Sequence, residues 1–198
     1  MKIGPTSLPD VLRLEPTVHG DARGFFFEAW TSATLQSAGI DATFVQGNVS
    51  GSARGVLRGL HYQWPNPQGK LVTVAAGEIF DVAVDVRRDS PSFGRWAGEK
   101  LTAGNRRSLW IPPGFAHGFM VLSDFAQFTY LVTAPYDPGA EMSVRWDDPQ
   151  IGIEWPTGSP TLSARDAAAP RLAELPPERL PTRAALARLV DLVDDARD

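Results

Sequence analysis

The sequence predicts an all-β protein with few helices, folded as a double sheet. Eighteen glycines and seventeen prolines separate short apolar runs, and a spacing of about ten residues between such runs is typical of a β-sandwich or barrel. The runs are rich in Val, Phe, Tyr and Trp, which favour strands over helices. With 198 residues, 43% of them hydrophobic, the chain is sized for one domain with a full core. A jelly-roll, cupin-like double-stranded β-barrel is the simplest architecture that fits.

The clearest strand candidate is the segment GEIFDVAVDVR at positions 77–87. Its residues Phe80, Val82, Val84 and Val86 alternate with more polar neighbours, which is the two-residue period of a strand with two different faces. We expect the aliphatic set to face the core. Similar runs are FFFEAW, KLVTVAAG, SLWIPPG, GFMVLS, QFTYLVTAPY and MSVRWDD.

Two segments predict helices. SATLQSAG, at positions 32–39, is long enough for one or two helical turns and ends in glycine. Beyond residue 167 the chain is rich in Ala, Pro and Leu, and Leu186, Leu189, Val190 and Val193 recur there at helical spacing. We therefore expect a jelly-roll domain over residues 1–175 and a helical tail over residues 176–198. The tail is expected to cover the barrel or extend into solvent, with a partner-binding helix as the alternative.

The charge balance and the residue counts argue against several functions. A net charge of -4 and a pI near 5.4 lack the basic excess that nucleic-acid binding needs. A chain without cysteine has no disulfides, thiolate metal ligands or cysteine nucleophiles. No apolar run reaches signal-peptide or membrane-spanning length, so we expect a cytoplasmic protein without membrane partners. The sequence also lacks a glycine-rich phosphate loop, a GxSxG elbow and a dinucleotide fingerprint.

Two of the three histidines lie in segments that suggest acid/base chemistry. His61 lies between Arg58 and Lys70, and His117 lies in IPPGFAHGF beside glycine and proline. A histidine among cations suits a base acting beside an anionic or enolising substrate, and a core histidine bonded to backbone is the alternative. The histidines are far apart in sequence and form no His-x-His pair. Because a catalytic metal site usually needs three ligands, we expect no metal.

Six blocks of sequence carry a resemblance to a known family. They are GDARGFFFEAW (20–30), FVQGNVSGSARGVLRGLHYQ (44–63), QGKLVTVAAGEIFDVAVDVRRDSPSFGRW (68–96), LWIPPGFAHGFMVLSD (109–124), YLVTAPYDPGAE (130–141) and WDDPQIGIEWP (146–156). In this order the blocks resemble the dTDP-4-dehydrorhamnose 3,5-epimerases. The resemblance implies a cofactor-free jelly-roll homodimer, an isomerase of deoxysugar and dTDP-rhamnose biosynthesis. Its substrate would be a thymidine-diphosphate sugar with a ketone at C4.

The resemblance implies a catalytic set of His61, Tyr130 and Asp166. Protons at C3 and C5 are acidic because they flank the C4 ketone, so inversion needs a base on one face and an acid on the other. By resemblance His61 is the base, Asp166 holds its other ring nitrogen, and Tyr130 is the proton donor. Taken alone, Asp166 would more often be a helix cap and Tyr130 a packing residue. Lys70 is placed to polarise the C4 oxygen, and a solvated surface lysine is the alternative.

The resemblance also implies a set of substrate-binding residues. It consists of arginines for the diphosphate (Arg23, Arg58, Arg165), a substrate contact (His117), thymidine contacts (Glu28, Gln46, Gly47, Asn48), an aromatic ring that stacks on thymine (Tyr136) and a further ligand contact (Glu141). Forked guanidinium groups suit phosphate oxygens, and aromatic stacking supplies much of the grip on a base. By resemblance, Arg23 and Glu28 are lent across the dimer to the neighbouring subunit's site.

Two positions depart from the common pattern of this family. Leu131 follows Tyr130 where many members carry lysine, and Val49 stands where a histidine is frequent. Such departures resemble relatives devoted to unusual deoxysugars, some of which epimerise one carbon only. We therefore expect a 3,5-epimerase, with a single-position 3- or 5-epimerase as the alternative. A non-catalytic sugar-nucleotide-binding cupin is less expected, because His61 and Tyr130 are both present.

Overall fold

Two antiparallel sheets dominate the fold in the computed structural model, which describes residues 1–195 and the side chains of residues 1–189. The six-stranded sheet has the order β1 (Lys2–Pro5), β2 (Leu12–Glu15), β10 (Ser108–Ile111), β7 (Lys70–Ala76), β12 (Phe125–Val132) and β5 (Gln46–Ala53). The five-stranded sheet has the order β13 (Glu141–Ser143), β6 (Leu57–Gln63), β11 (Phe115–Val121), β8 (Glu78–Asp85) and β9 (Trp96–Thr102). A separate hairpin is formed by β3 (His19–Asp21) and β4 (Gly24–Phe26). The predicted all-β architecture with few helices is confirmed.

The main core lies between the two sheets. Val72, Leu109 and Phe128 of the six-stranded sheet pack against Ile79 and Phe119 of the five-stranded sheet, and each is at most 5% exposed. Burying an aliphatic or aromatic side chain of this size contributes about 1.5–3 kcal/mol. The layer between the sheets therefore holds the barrel walls at a fixed separation.

A short helix covers the outer face of the six-stranded sheet. Helix α1 spans Ser32–Ser37, inside the segment predicted to be helical, and the Thr31 hydroxyl accepts a hydrogen bond from the Thr34 backbone N–H at 3.2 Å. This side-chain cap satisfies a donor that the first turn would otherwise leave without a partner. Leu35 of α1 packs with Trp110 in a second apolar cluster, so the helix closes this side of the sheet.

Strand β8 has the two different faces predicted for it, and both of them are buried. Val82 and Val84 are fully buried, as expected, but they lie in a cluster with Leu172 of the C-terminal segment. The alternate residues Asp81 and Asp85 are also fully buried, on the opposite face of the strand. The expectation that the aliphatic set faces a core is confirmed, and that core is a second apolar layer which the C-terminal segment supplies outside the sheet.

The C-terminal segment crosses the five-stranded sheet in short helical pieces. It contains α2 (Ala164–Ala167), two 3₁₀ turns (Leu172–Glu174 and Pro177–Arg179) and α3 (Arg183–Asp195). The Tyr62 hydroxyl donates to the Arg179 carbonyl at 3.0 Å and fastens the segment to β6. Helix α3 falls within the predicted helical tail, but the side chains of Val190 and Val193 and residues 196–198 lie outside the described part of the chain. None of the described helices is long and apolar enough to cross a membrane.

Candidate active site

The two histidines singled out in the sequence lie opposite each other on neighbouring strands. His61 on β6 is in register with His117 on β11. Gly59 has a φ of +121°, and a Cβ at this position would lie 2.6 Å from the Cα of Gly118. The pairing register shifts between His117 and Phe119, as a bulge does. The glycines beside each histidine therefore let the two strands approach closely where the site is built.

His61 forms a close pair with Asp166 of α2. His61 Nε2 lies 2.6 Å from Asp166 Oδ1, and the Ser163 hydroxyl donates to Asp166 Oδ2 at 2.9 Å. Burial alone would raise the pKa of Asp166, but the hydrogen bonds from His61 and Ser163 outweigh it and the net pKa is lowered. Asp166 is 3% exposed, whereas the His61 side chain is 27% exposed. An ionised carboxylate thus fixes one ring nitrogen of a histidine whose other edge is open.

His117 forms a second pair, with Asp81 of β8. His117 Nε2 lies 2.9 Å from Asp81 Oδ2, and both side chains are buried. Burial lowers the pKa of His117, and the nearby Asp81 opposes this shift. Sequence reasoning did not select Asp81. The available signal was an acidic residue in the middle of a strand of apolar neighbours, and the simple alternation of β8 had assigned it to a polar face.

Lys70 and Tyr130 reach the site from the six-stranded sheet. Lys70 on β7 is 8% exposed, and its Nζ donates to the backbone carbonyl of His61 at 3.3 Å. Burial lowers the Lys70 pKa to about 8, although Glu141 and Asp81 act in the opposite direction. Tyr130 on β12 is partly buried, and burial raises the pKa of its phenol. The base candidate and the acid candidate therefore stand on different sheets.

These side chains surround a cavity of about 420 Å³. Its lining includes the titratable side chains His61, Lys70, His117, Arg58, Arg165 and Asp166, together with Tyr130 and Phe128. A neighbouring cavity of about 320 Å³ shares His61, Lys70 and Tyr130 with it. Two larger cavities, of about 640 and 490 Å³, are lined by neither histidine nor tyrosine. The candidate acid and base side chains therefore line the two smaller, neighbouring cavities and not the largest one.

The second cavity is lined by a polar cluster around Glu141. Glu141 Oε2 accepts hydrogen bonds from the Tyr136 hydroxyl at 2.8 Å and from Arg165. The Tyr136 backbone N–H donates to Gln46 Oε1 at 3.1 Å, and Gln46 Nε2 donates to Asn48 Oδ1 at 2.8 Å. Five of the predicted binding residues are therefore connected by hydrogen bonds beside the second cavity.

The remaining predicted site residues are placed unevenly. Arg58 lines the first cavity and donates to the Ser52 hydroxyl at 3.1 Å, whereas the α-carbon of Gly47 faces the Leu131 side chain. Arg23 has a 90% exposed side chain and pairs with Asp21 on the β3–β4 hairpin. Glu28 is exposed as well. Within one subunit, Arg23 and Glu28 are therefore not brought into the cavities that hold His61.

The two positions that depart from the common family pattern do not line either cavity. Leu131 packs into the apolar cluster beneath α1, and Val49 is 66% exposed. The backbone of β12 places Tyr130 and Leu131 on opposite faces of the sheet. Neither departure therefore changes the lining of the cavities that hold His61.

No group of three or more histidine, aspartate and glutamate side chains that could hold a metal ion is found in the part of the chain that the structure describes. The four site groups His61, Asp166, Lys70 and Tyr130 offer instead a base with an orienting carboxylate, a buried cation and a phenol. Such a set can remove a proton, stabilise the resulting oxyanion and return a proton from another direction.

Comparison with known proteins gives a consistent match. The family profile that matches is described as dTDP-4-dehydrorhamnose 3,5-epimerase and covers residues 5–174. A relative from Salmonella typhimurium named dTDP-4-dehydrorhamnose 3,5-epimerase is 57% identical over 170 residues, which is 84% of this chain and 93% of the relative.

Solved structures agree with the sequence match. The dTDP-6-deoxy-D-glucose-3,5-epimerase of Legionella pneumophila, in complex with dTDP-4-keto-L-rhamnose, is similar with a TM-score of 0.89 and 49% identity, covering 91% of this chain and 97% of that one. A 3'-monoepimerase from Streptomyces bikiniensis, in complex with dTDP-quinovose, has a TM-score of 0.86 and 38% identity, covering 94% of this chain and 96% of that one.

Proposed function

This chain belongs to the dTDP-4-dehydrorhamnose 3,5-epimerase family, and on that premise we propose how its own residues invert C3 and C5 of a dTDP-4-keto-6-deoxyhexose. The enzyme is an isomerase, and its reaction is proton removal and return beside the C4 ketone. We assign the base to His61, the orienting carboxylate to Asp166 and the acid to Tyr130.

The observation that carries the proposal is the position of the base and the acid on different sheets. His61 lies on β6 of the five-stranded sheet and Tyr130 lies on β12 of the six-stranded sheet, and both line the same cavity. A sugar ring between the sheets presents one face to each of them. Inversion requires proton removal from one face and proton donation to the other, which this arrangement supports.

Lys70 is assigned to the enolate. When a proton leaves C3 or C5, negative charge develops on the C4 oxygen, and a preorganised cation in a water-poor site stabilises it. Lys70 is buried beside His61, and the charges of Glu141 and Asp81 attract its ammonium group. The ammonium is therefore held near the base. His117, fixed by Asp81, is assigned to a substrate hydrogen bond on the same side.

The second cavity is assigned to the nucleotide. Gln46, Asn48 and Tyr136 line it, and an amide pair with an aromatic ring suits a pyrimidine base. Arg58 and Arg165 line the first cavity, and Arg165 donates to Glu141 of the second. Forked guanidinium groups suit a diphosphate. No cofactor enters the proposed chemistry, because neither step changes an oxidation state.

The proposal includes a homodimer. The β3–β4 hairpin exposes Phe25 by 60% and Phe26 by 71%, and it holds Arg23 away from the site of its own subunit. A neighbouring subunit would cover this apolar surface and receive Arg23 and Glu28. The cytoplasmic location and the lack of nucleic-acid or membrane partners stay predictions of the sequence.

The test is position-resolved deuterium incorporation into dTDP-4-keto-6-deoxyglucose in D₂O, with Tyr130→Phe as the diagnostic variant. Wild-type enzyme is expected to incorporate deuterium at C3 and C5 with inversion. Tyr130→Phe is expected to slow inversion by about 10²–10⁴ while exchange with retention persists, because His61 still removes and returns the proton.

The matched control is Tyr62→Phe, since its hydroxyl bonds to the Arg179 carbonyl on the C-terminal segment. This variant should keep the wild-type ratio of inversion to exchange. Inversion at the normal rate in Tyr130→Phe would assign the acid to another group, and wild-type protein without any exchange would refute the function.

A further inference from the structure

Arg58 lines the first cavity, and among the described residues no carboxylate compensates its charge. Arg165 lines the same cavity but forms an ion pair with Glu141. No aspartate or glutamate in the described part of the chain lies within ion-pair distance of Arg58. In the proposed function, on which this inference rests, Arg58 binds the diphosphate. Whatever orients Arg58 therefore affects how the substrate is held.

A single hydrogen bond holds the Arg58 side chain. Its Nε–H donates to the Ser52 hydroxyl at 3.1 Å. The N–H groups of its two terminal nitrogens have no hydrogen-bond partner among the described residues. A guanidinium that is bonded through Nε alone keeps its terminal fork for a ligand, and this fork matches the spacing of phosphate oxygens.

Ser52 is a fixed acceptor for this exposed side chain. It lies on β5 in register with Ala126 of β12, and it is 7% exposed. The turn from β5 to β6 is held because the Gly55 N–H donates to the Val121 carbonyl at 2.9 Å. Arg58, by contrast, is exposed. The backbone therefore sets the position of the hydroxyl, and the hydroxyl sets the position of the guanidinium.

The bond matters because an unrestrained arginine side chain has many rotamers. A long exposed side chain loses rotamer freedom when it binds a ligand, and that loss weakens binding. A hydrogen bond that already exists in the free protein holds the side chain in advance, so less freedom is lost when the ligand arrives.

A neutral acceptor also keeps the charge of Arg58 available. Burial would raise the pKa values of Asp166 and Glu141, but hydrogen bonds outweigh it and both values are lowered. The site therefore holds ionised carboxylates, and a diphosphate adds more negative charge. A carboxylate in place of Ser52 would orient the guanidinium but neutralise it. The hydroxyl orients Arg58 and leaves its positive charge for the ligand.

We propose that Ser52 is a positioning residue that orients Arg58 toward the substrate diphosphate. Ser52 is not among the residues that line either cavity, so it acts through the arginine. Loss of its hydroxyl should weaken ligands that carry the diphosphate and leave the thymidine contacts of the second cavity unchanged. Because the diphosphate is held equally before and during proton transfer, KM should rise and kcat should not fall.

The experiment compares the affinity of Ser52→Ala for dTDP with its affinity for thymidine, which lacks the diphosphate. Titration calorimetry should show dTDP binding weakened by about five- to tenfold, the usual effect of losing one hydrogen bond. Thymidine affinity, followed by ligand-observed NMR, should change by less than about twofold. With dTDP-4-keto-6-deoxyglucose, KM should rise by a similar factor as the dTDP dissociation constant, at unchanged kcat.

A double-mutant cycle with Arg58→Lys tests whether Ser52 acts through Arg58. Lysine keeps the positive charge but has no Nε–H, so Arg58→Lys should weaken dTDP binding by itself. Adding Ser52→Ala to Arg58→Lys should weaken it no further, because the bond is already absent. Ser52→Thr, which keeps a hydroxyl at the same place on the strand, should bind dTDP like wild type.

The matched control is Ser108→Ala. Ser108 is also a buried strand serine, and its hydroxyl lies 2.8 Å from that of Thr73. Neither residue lines the cavities that hold His61. This variant loses a buried hydroxyl without touching Arg58, so its dTDP affinity should equal that of wild type.

Several results would overturn the role of Ser52. Wild-type dTDP affinity in Ser52→Ala, or the same loss in Ser52→Thr or Ser108→Ala, would show that the hydroxyl of Ser52 does not orient the arginine. Equal weakening of dTDP and thymidine would indicate general damage to the site, and additive losses in the cycle would separate Ser52 from Arg58. The proposed function would stand in all these cases. Wild-type protein that binds no dTDP would refute that function, and this inference with it.

Discussion

The two histidine–carboxylate pairs of this molecule have the same composition and opposite environments. His61 with Asp166 lies at the edge of a cavity, with the imidazole 27% exposed. His117 with Asp81 lies one strand away, with side-chain exposures of 7% and 0%. The histidines are even direct neighbours in the pairing of β6 with β11.

Access to the cavity, rather than the presence of a carboxylate partner, decides which histidine can exchange protons with a bound molecule. An imidazole that exchanges protons with a bound molecule needs an open edge, and the His61 side chain is 27% exposed. Burial lowers the pKa of His117, so its ring is better suited to a fixed neutral hydrogen bond than to repeated proton transfer. In the proposed function, Asp166 therefore orients the base, while Asp81 holds His117 as a fixed hydrogen-bonding group.

Replacing each histidine in turn should give the largest difference between the two pairs. His61→Asn should lower proton exchange at C3 and C5 by about 10³–10⁴, towards the upper end for loss of a positioned base. His117→Asn should keep exchange and mainly raise KM, because it removes a substrate contact. Exchange rates measured in D₂O decide between them, and equal losses in the two variants would erase the distinction.

Replacing the two carboxylates should change two different quantities, kcat for Asp166 and the free energy of unfolding for Asp81. Asp166→Ala should lower kcat by about 10²-fold because the imidazole loses its orientation, with little change in melting temperature. Asp81→Ala should instead lower the free energy of unfolding by about 1–3 kcal/mol, because a buried His117 donor loses its partner. Kinetics and denaturant titration of both variants test this, and an exchange of the two outcomes would contradict the assignment.

A pH profile of kcat/KM tests the role of Lys70, the cation beside His61 and Asp166. Burial lowers the Lys70 pKa to about 8, so the ammonium is present below that pH and lost above it. We expect kcat/KM to fall about tenfold per pH unit above pH 8. Lys70→Arg should be slower overall but should lose this alkaline fall, because a guanidinium does not titrate there.

The same shift has the opposite sign for stability. The folded-state pKa lies below the ordinary value of 10.5, so between about pH 8 and that value the unfolded chain binds more protons. This group therefore favours the folded protein increasingly as the pH rises through the window. For the activity prediction above, a wild-type kcat/KM that stays constant up to pH 10 would show that catalysis does not need the Lys70 charge.

The smallest expected effect is that of a chelator. Histidine pairs on barrel strands are also the usual ligands of metal-dependent cupins, but each imidazole here is paired with one carboxylate. Prolonged treatment with a strong chelator should leave activity and melting temperature unchanged. Loss of activity that returns with one equivalent of zinc, iron or manganese would replace acid/base chemistry with metal chemistry.

Local patterns in the sequence were enough to predict strands β7, β8, β10 and β12 and helix α1, and to single out His61 and His117. They missed strands β1, β2 and β9, and most of the predicted run FFFEAW lies outside β4. They could not predict which side of β8 faces which core, because the outer layer is supplied by residues near Leu172, far along the chain. The partners of the histidines are likewise distant, 105 residues for Asp166 and 36 for Asp81. Asp166 was predicted only through the family resemblance, and Asp81 was not predicted.

Local sequence patterns also could not predict the hydrogen bonds of the polar cluster around Glu141. Tyr136, Glu141 and Arg165 were expected to contact ligand, but their hydrogen bonds to each other depend on how β13 and α2 dock at the rim. Arg23 shows the limit of a single chain, since its proposed partner site belongs to another subunit.

Helix α2 follows every strand in chain order, and this fixes when the enzyme can become active during its synthesis. A ribosome completes both sheets, from β1 to β13, before it reaches Asp166. A nascent chain at that stage carries His61 without the carboxylate that orients it, and the five-stranded sheet still lacks the apolar layer around Leu172. A product truncated after β13 would lose the oriented base and this part of the core together, so we expect it to be unstable as well as poorly active.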